Sequence, residues 1–238
     1  RVRSVIEEIV DQKITEEMLS SVIEKSNRVR KVLAKIRDLS YGSIPTPFPA
    51  LETQICEMLA IHFCSDLDET INVLSHVSDT IEKRIKKGEG VLEKDACRVV
   101  WVNPVADLRV MNILEDMGGA LAGTEYLFRH ALIPIRTDIT PMRALALIAL
   151  CDPMIGSARY RAQLVIDEAK KYNAEGIIIS NIPGASHCAT ESVVIREEAN
   201  RQLGLPVLEI TVHPIIDSSF AQLRSRIDTF FEVIRSGR

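Results

Sequence analysis

Met18, Val22, Val29, Leu33 and Ile36 recur at near-helical spacing, while Lys25, Arg28, Arg30, Lys31, Lys35 and Arg37 fill most of the positions between them. An apolar stripe beside charged positions predicts a helix packed on one side and wet on the other, and the basic run reads as its solvated face. Thr15 stands where a hydroxyl can cap the first turn, ahead of Glu16 and Glu17, whose charge suits a helix N-terminus. The segment from Tyr41 to Pro49 carries three prolines at alternate positions. They remove donors and fix φ, so the helix must break there. Two more helices are predicted at about 50–64 and 67–87, ending at Gly88-Glu89-Gly90. Nothing from residue 14 to about 88 requires a strand.

After about residue 96 the pattern changes to short β-branched runs alternating with amphipathic stretches, the sequence signature of a parallel sheet covered by helices. Strands are predicted at 98–102, 120–123, 176–180 and 206–211. Helices are predicted at about 107–117, 141–150, 158–173, 189–203 and 219–235. The helix at 158–173 shows its buried face clearly: Ala158, Ala162, Val165, Ala169 and Tyr172 lie three or four apart, and Glu168, Lys170 and Lys171 point elsewhere. Gly118 and Gly204 fall where helix C-caps need a left-handed residue. The expected fold is therefore α/β: a helical domain over residues 1–95 and a small doubly wound, flavodoxin- or Rossmann-like parallel-sheet domain over 96–238.

Composition narrows the partners. Of 238 residues, 46% are hydrophobic and 26% charged, and 29 basic against 33 acidic residues give a net charge of −4. That balance suits a chain with a sizeable core and leaves no basic excess for nucleic acid. The longest nearly apolar run, Ala144 to Cys151, is eight residues, against roughly 20 for a membrane-spanning helix. The chain opens Arg1-Val2-Arg3, without an initiator Met or a secretory pattern, which marks a processed chain or the remainder of a longer one. Five cysteines, Cys56, Cys64, Cys97, Cys151 and Cys188, are odd in number and widely scattered, with no C-x-x-C pair. They read as reduced cysteines of a cytoplasmic protein with no self-contained zinc site.

In open parallel sheets, ligands gather beyond the carboxyl ends of the strands. The segments there are 103–107 after the first strand, Asn181 to Cys188 after the third, and Val212-His213-Pro214 after the fourth. Asn103, Asn181, His187 and His213 are thus candidate pocket residues, and Cys188 is the candidate thiolate. Cys188 directly precedes the predicted helix at 189–203, whose unpaired N–H groups and dipole favour the thiolate needed by either a nucleophile or a metal. The same cysteine also suits a small apolar role in the strand-to-helix turn. The histidines suit acid–base work or ordinary hydrogen bonding, and the asparagines suit turns. Cys56 and Cys64, eight apart on a predicted helix, and Cys97 at a strand start read as structural. No G-x-G-x-x-G follows the first strand, and there is no Walker-type loop, G-x-S-x-G elbow or H-E-x-x-H helix. An iron–sulfur cluster takes about four ligands, so Cys188 alone cannot hold one.

Several motifs together resemble the 2-hydroxyacyl-CoA dehydratase and benzoyl-CoA reductase family. These are Asn27-Arg28-Val29-Arg30, then Asp38-Leu39 and the proline-rich break; Arg98 to Gly123 with its closing Glu115-Asp116-Met117-Gly118-Gly119; the helix and strand from Arg159 to Cys188; Gly204-Leu205-Pro206-Val207-Leu208; and the last helix with Gln222-Leu223-Arg224-Ser225-Arg226-Ile227. The resemblance covers nearly the whole chain through short, degenerate motifs.

The resemblance implies a cytoplasmic, oxygen-sensitive iron–sulfur subunit, usually paired with a partner subunit of the same family as a heterodimer. It implies a [4Fe–4S] cluster held by three cysteines, with Cys188 matching the last of them and the other two in an N-terminal α/β domain of about 150–200 residues that this sequence does not include. By itself the chain is then expected not to assemble a normal cluster. The family takes one low-potential electron from an ATP-dependent iron–sulfur activator and forms a ketyl radical anion on an acyl-CoA thioester, for dehydration or for ring reduction. A flavin is a further possibility that no motif here supports. The sequence departs from the family at Asn103, where members commonly carry Gly, and at Val212-His213-Pro214, where they carry an acidic residue. These departures point to a different substrate or to a non-catalytic accessory or electron-transfer subunit of the same fold.

Overall fold

In the computed structural model, residues 1–59, 66–126, 129–185 and 191–238 are described. The chain begins with α1 (Val2–Val10), a helix with no buried residue that the sequence reading did not assign. It is followed by α2 (Glu16–Gly42), α3 (Ala50–Leu59) and α4 (Leu67–Lys87). Thr15 caps α2 by accepting the Met18 N–H at 3.2 Å, and the helix runs to Gly42 before the prolines stop it. Asp66 caps α4 by accepting the N–H groups of Asp68 and Glu69, both at 3.0 Å, and Gly88 ends it at φ 69°. Val29, Leu33 and Ile36 of α2 pack with Cys56, Leu74 and Ile81 into an apolar cluster of their own.

The second half is built on four parallel strands: β1 (Cys97–Val102), β2 (Gly119–Glu125), β3 (Gly176–Asn181) and β4 (Val207–Thr211), in the order β2-β1-β3-β4. Between them lie α5 (Val110–Asp116), α6 (Arg129–Leu132), α7 (Pro141–Ala149), α8 (Ala158–Lys171) and α9 (Ser192–Leu203), and α10 (Phe220–Ser236) closes the chain. Strand alternation sorts the two faces of the sheet. Val99, Trp101, Ile178 and Ile210 meet α5 and α10 through Val110, Leu114, Ile227 and Phe231. Val100, Val102, Ile177 and Ile179 meet α8 and α9 through Ala162, Val165, Ala169, Ile195 and Ala199. The predicted doubly wound arrangement is what forms, with its switch in strand order between β1 and β3.

The two halves interlock. Tyr41 and Ala50 belong to the core cluster of the sheet, and Ala144 of α7 packs against Ile23 of α2 and Ile135. The register of β1 on β2 shifts between Val99 and Trp101, so that Val99 faces Leu121 but Trp101 faces Thr124. The extra residue on β2 falls at Gly123, with φ 139°. A Cβ there would lie 2.7 Å from Glu168 Cγ. Glycine thus permits both the irregular backbone and the close approach of α8.

Candidate functional site

The carboxyl edge of the sheet is where the described polar side chains converge. Asn103 ends β1 with φ 74°, a left-handed conformation that glycine adopts freely and that asparagine tolerates best among the others. The side chain is fully buried, with Nδ2 donating to the Ser180 carbonyl at 2.8 Å and Oδ1 accepting from Arg161 Nη2. Arg161 of α8 is itself 0% exposed. Its Nε donates to Glu125 Oε2 at 2.7 Å and its Nη1 to Glu191 Oε2 at 3.0 Å. One guanidinium therefore joins the ends of β1 and β2 to the residue just before α9.

The other predicted rim residues take separate positions. Asn181, half-buried at the end of β3, donates from Nδ2 to Glu209 Oε1 at 2.6 Å, and its buried Oδ1 has no partner among the described residues. His213 is exposed beyond β4. His187 and Cys188 lie outside the described residues. The helix predicted to start near 189 starts at Ser192, because Glu191 is in a turn and its carboxylate goes to Arg161 rather than to a cap. Cys188 is four residues before that helix. The helix predicted from 107 likewise starts later, at Val110. Asp107 instead accepts from the Arg109 N–H and guanidinium and from the Ile216 N–H at 3.1 Å, tying the loop after β1 to the loop after β4. Hydrogen bonds from Arg109 hold the Asp107 carboxyl down to about 2.

A cavity of about 330 Å³ opens beside the end of β2, between α2, α6 and α8. Its walls include Arg37, Asp38, Thr124, Glu125, Lys171 and Tyr172, none of which sequence reasoning singled out for the site. Arg37 reaches Glu57 through Nη1 and Glu168 through Nη2, and donates to Thr124 Oγ1 at 2.8 Å. Tyr41 donates to Glu57 Oε1 at 2.7 Å, and Thr124 donates to Glu57 Oε2 at 3.0 Å. Burial pushes the Glu57 carboxyl above its ordinary value, against the pull of Arg37, Tyr41 and Thr124. Burial would also lower the Arg37 pKa, but Glu57 and Glu168 outweigh it and hold the guanidinium charged. On the outer wall Lys171 and Tyr172 both donate to Asp38 Oδ1 at 2.7 Å. Burial and the Asp38 carboxylate raise the Tyr172 hydroxyl, so it stays a donor. The one sequence signal for this site was the charged run on α2, whose Arg37 turns inward.

Cofactor capacity is limited. Among the described residues no three His, Cys, Asp or Glu side chains are grouped to hold a metal ion. Cys56 is buried in α3, Cys97 is buried at the amino end of β1, and Cys151 follows α7, all as free thiols. None of these lies on the rim, and Cys64, like Cys188, lies outside the described residues. Cys188 is the cluster ligand that the family resemblance implies, and one thiolate does not make a whole site. Among the described residues no helix is long and apolar enough to cross a membrane.

Comparison with known proteins completes the picture. The chain is 20% identical over 240 residues to a protein of Escherichia coli (strain K12) provisionally named dehydratase subunit YjiM, covering 98% of this chain and 62% of that one. The chain thus spans less than two thirds of that relative. Residues 1–234 match the family described as 2-hydroxyglutaryl-CoA dehydratase, D-component. With that match across nearly its full length, the chain belongs to the 2-hydroxyglutaryl-CoA dehydratase D-component family.

Proposed function

We propose that this chain is part of the iron–sulfur subunit of an enzyme that removes water from a (R)-2-hydroxyacyl-CoA to give the 2-enoyl thioester, working with a partner subunit and an ATP-dependent activator. The observation that carries the reading is a coincidence of two facts. The family match spans the chain, and Cys188 follows β3 in sequence, a strand beside the strand-order switch, where parallel sheets generally collect ligands beyond the carboxyl ends. Cys188 would supply one cluster ligand, and the remaining ligands would come from residues beyond the given sequence. When bound, the cluster would supply one electron at low potential.

The chain's own residues would shape the surroundings. Arg161, Glu125 and Asn103 form a buried, bonded network at the carboxyl ends of β1 and β2. The neighbouring cavity, at the small end of the usual ligand range of about 300–1,000 Å³, suits the acyl end of a thioester. Tyr172, its hydroxyl proton given to Asp38, and Arg37, held between Glu57 and Glu168, would set the polar walls against which it packs. Asn103, buried after β1 at a position where the family resemblance implies glycine, favours a second reading, an accessory or electron-transfer subunit.

The two readings separate in an assay of the complete subunit pair with activator, ATP and (R)-2-hydroxyacyl-CoA under anaerobic conditions. Enoyl-CoA formation that Cys188→Ser in this subunit reduces at least about 10-fold supports the cluster reading, since changing even the outer-shell partners of a metal costs about 10–100-fold. Formation that survives the substitution unchanged supports the accessory reading.

A further inference from the structure

Along α2, Ile23, Asn27, Arg30, Ala34 and Arg37 lie three or four residues apart, which puts them on one face of the helix. Ala34 and Arg37 line the cavity beside β2, and the positions before them hold its wall. Arg129, Leu132, Ile133 and Pro134 form that wall, from the four-residue helix α6 and the irregular chain that follows it. A helix this short has too few internal hydrogen bonds to stand by itself, and its last carbonyls have no partner inside it. Arg30 Nη1 donates to one of them, the Ala131 carbonyl, at 2.5 Å. Asn27 takes the other end of the wall: its Nδ2 donates to the Ile135 carbonyl at 2.7 Å, and its Oδ1 accepts the Ile135 N–H at 2.8 Å. One side-chain amide thus pairs both backbone groups of one residue, as a neighbouring strand would. Ile135 is buried against Ile23 and Ala144, where an unpaired backbone group is costly. Residues 131 and 135, on either side of Leu132, Ile133 and Pro134, are therefore fastened to one helix by two residues of the Asn27-Arg28-Val29-Arg30 motif.

We propose that Asn27 is a positioning residue for acyl recognition: by clasping Ile135 it fixes the apolar wall of the cavity, and with it the length of acyl chain that fills the space. This rests on the reading of the cavity as the place of the acyl end. Leu132, Ile133 and Pro134 carry no charge, so this wall discriminates by shape and apolar contact. A wall released from α2 shifts to suit either a short or a long chain, and the discrimination falls.

The test is the ratio of dissociation constants for two probes, (R)-2-hydroxybutanoyl-CoA and (R)-2-hydroxyhexanoyl-CoA, measured by titration calorimetry on the complete subunit pair in wild type, N27A and A34F. Such a ratio does not depend on how much of the protein is folded, so a merely structural role for Asn27 would leave it unchanged. The wild type is expected to bind the longer chain at least about 10-fold tighter, from the apolar surface that two further methylenes reach. N27A is expected to lower that ratio at least about threefold, since a small misplacement of a positioning group is enough to lose selectivity. A34F adds a ring to the cavity lining and keeps the Asn27 side chain, and it is expected to lower the ratio as well. A ratio that A34F moves and N27A does not overturns the proposal and leaves the reading of the cavity intact. A wild-type ratio near one, or one that A34F does not move, puts the acyl chain elsewhere, and the reading and the proposal fall together. If N27A does not fold, N27D decides, because it keeps the acceptor for the Ile135 N–H and removes only the donor to its carbonyl. A lowered ratio in N27D then supports the role, and an unchanged one overturns it.

Discussion

Arg37 is the residue on which the cavity depends most. Among the described residues its guanidinium is the sole cation reaching Glu57, a side chain 1% exposed that also takes hydrogen bonds from Tyr41 and Thr124. Removing one partner of a buried ion pair leaves an uncompensated charge and costs about 3–5 kcal/mol. Arg37→Met is expected to lose stability on that scale in urea unfolding, and the double variant with Glu57→Gln should recover a large part of it. A double variant no more stable than Arg37→Met would place the loss in packing instead. At this scale the sequence disclosed types of residue more readily than partners. The Arg37–Glu168 bond joins positions 131 apart, and Arg161 meets Asn103 and Glu125 across 58 and 36. No local spacing rule encodes such pairs. Asn103 was legible as a turn residue, and its left-handed φ is the glycine-like conformation that the family resemblance implied for the position.

Among the elements, α3 has the most unusual start. Its first residue, Ala50, donates its N–H to Glu115 Oε1 at 2.8 Å, so a carboxylate from α5 serves as its cap. Burial, with Glu52 and Asp116 adding to it, pushes the Glu115 carboxyl up to about 6, against the hydrogen bond from Ala50. A carboxyl that holds its proton more tightly when folded favours the folded state at low pH. Its contribution therefore declines as pH rises between about 4.5 and about 6. Glu115→Gln is expected to flatten this decline, leaving the same-signed contribution of Glu57. Urea midpoints at about pH 4.5, 5.5 and 6.5 measure it, and identical slopes in the two proteins would contradict the assignment. The strands and most helices could be read from periodicity because each buries one face. Glu115 was visible only as part of a motif, since its partner is 65 positions away. The helix α1 escaped although Val2, Val5, Ile6 and Ile9 form a helical stripe, and all four are exposed.

For the whole molecule, the parallel sheet brings the loops after β1 and β4 together through Asp107 and Ile216. That convergence follows from strand order, which alternating patterns suggest but do not specify, so the rim was foreseen while the cavity beside β2 was not. The cavity needs α2 from the first half and α8 from the second. The central claim is that a cluster sits at this rim with Cys188 as a ligand. It is tested most directly by iron and acid-labile sulfide per subunit, measured on the complete protein isolated without oxygen, beside its Cys188→Ser variant. The account predicts about four irons in the wild-type subunit and a marked loss in the variant. Equal iron in the two proteins, or none in either, would contradict it.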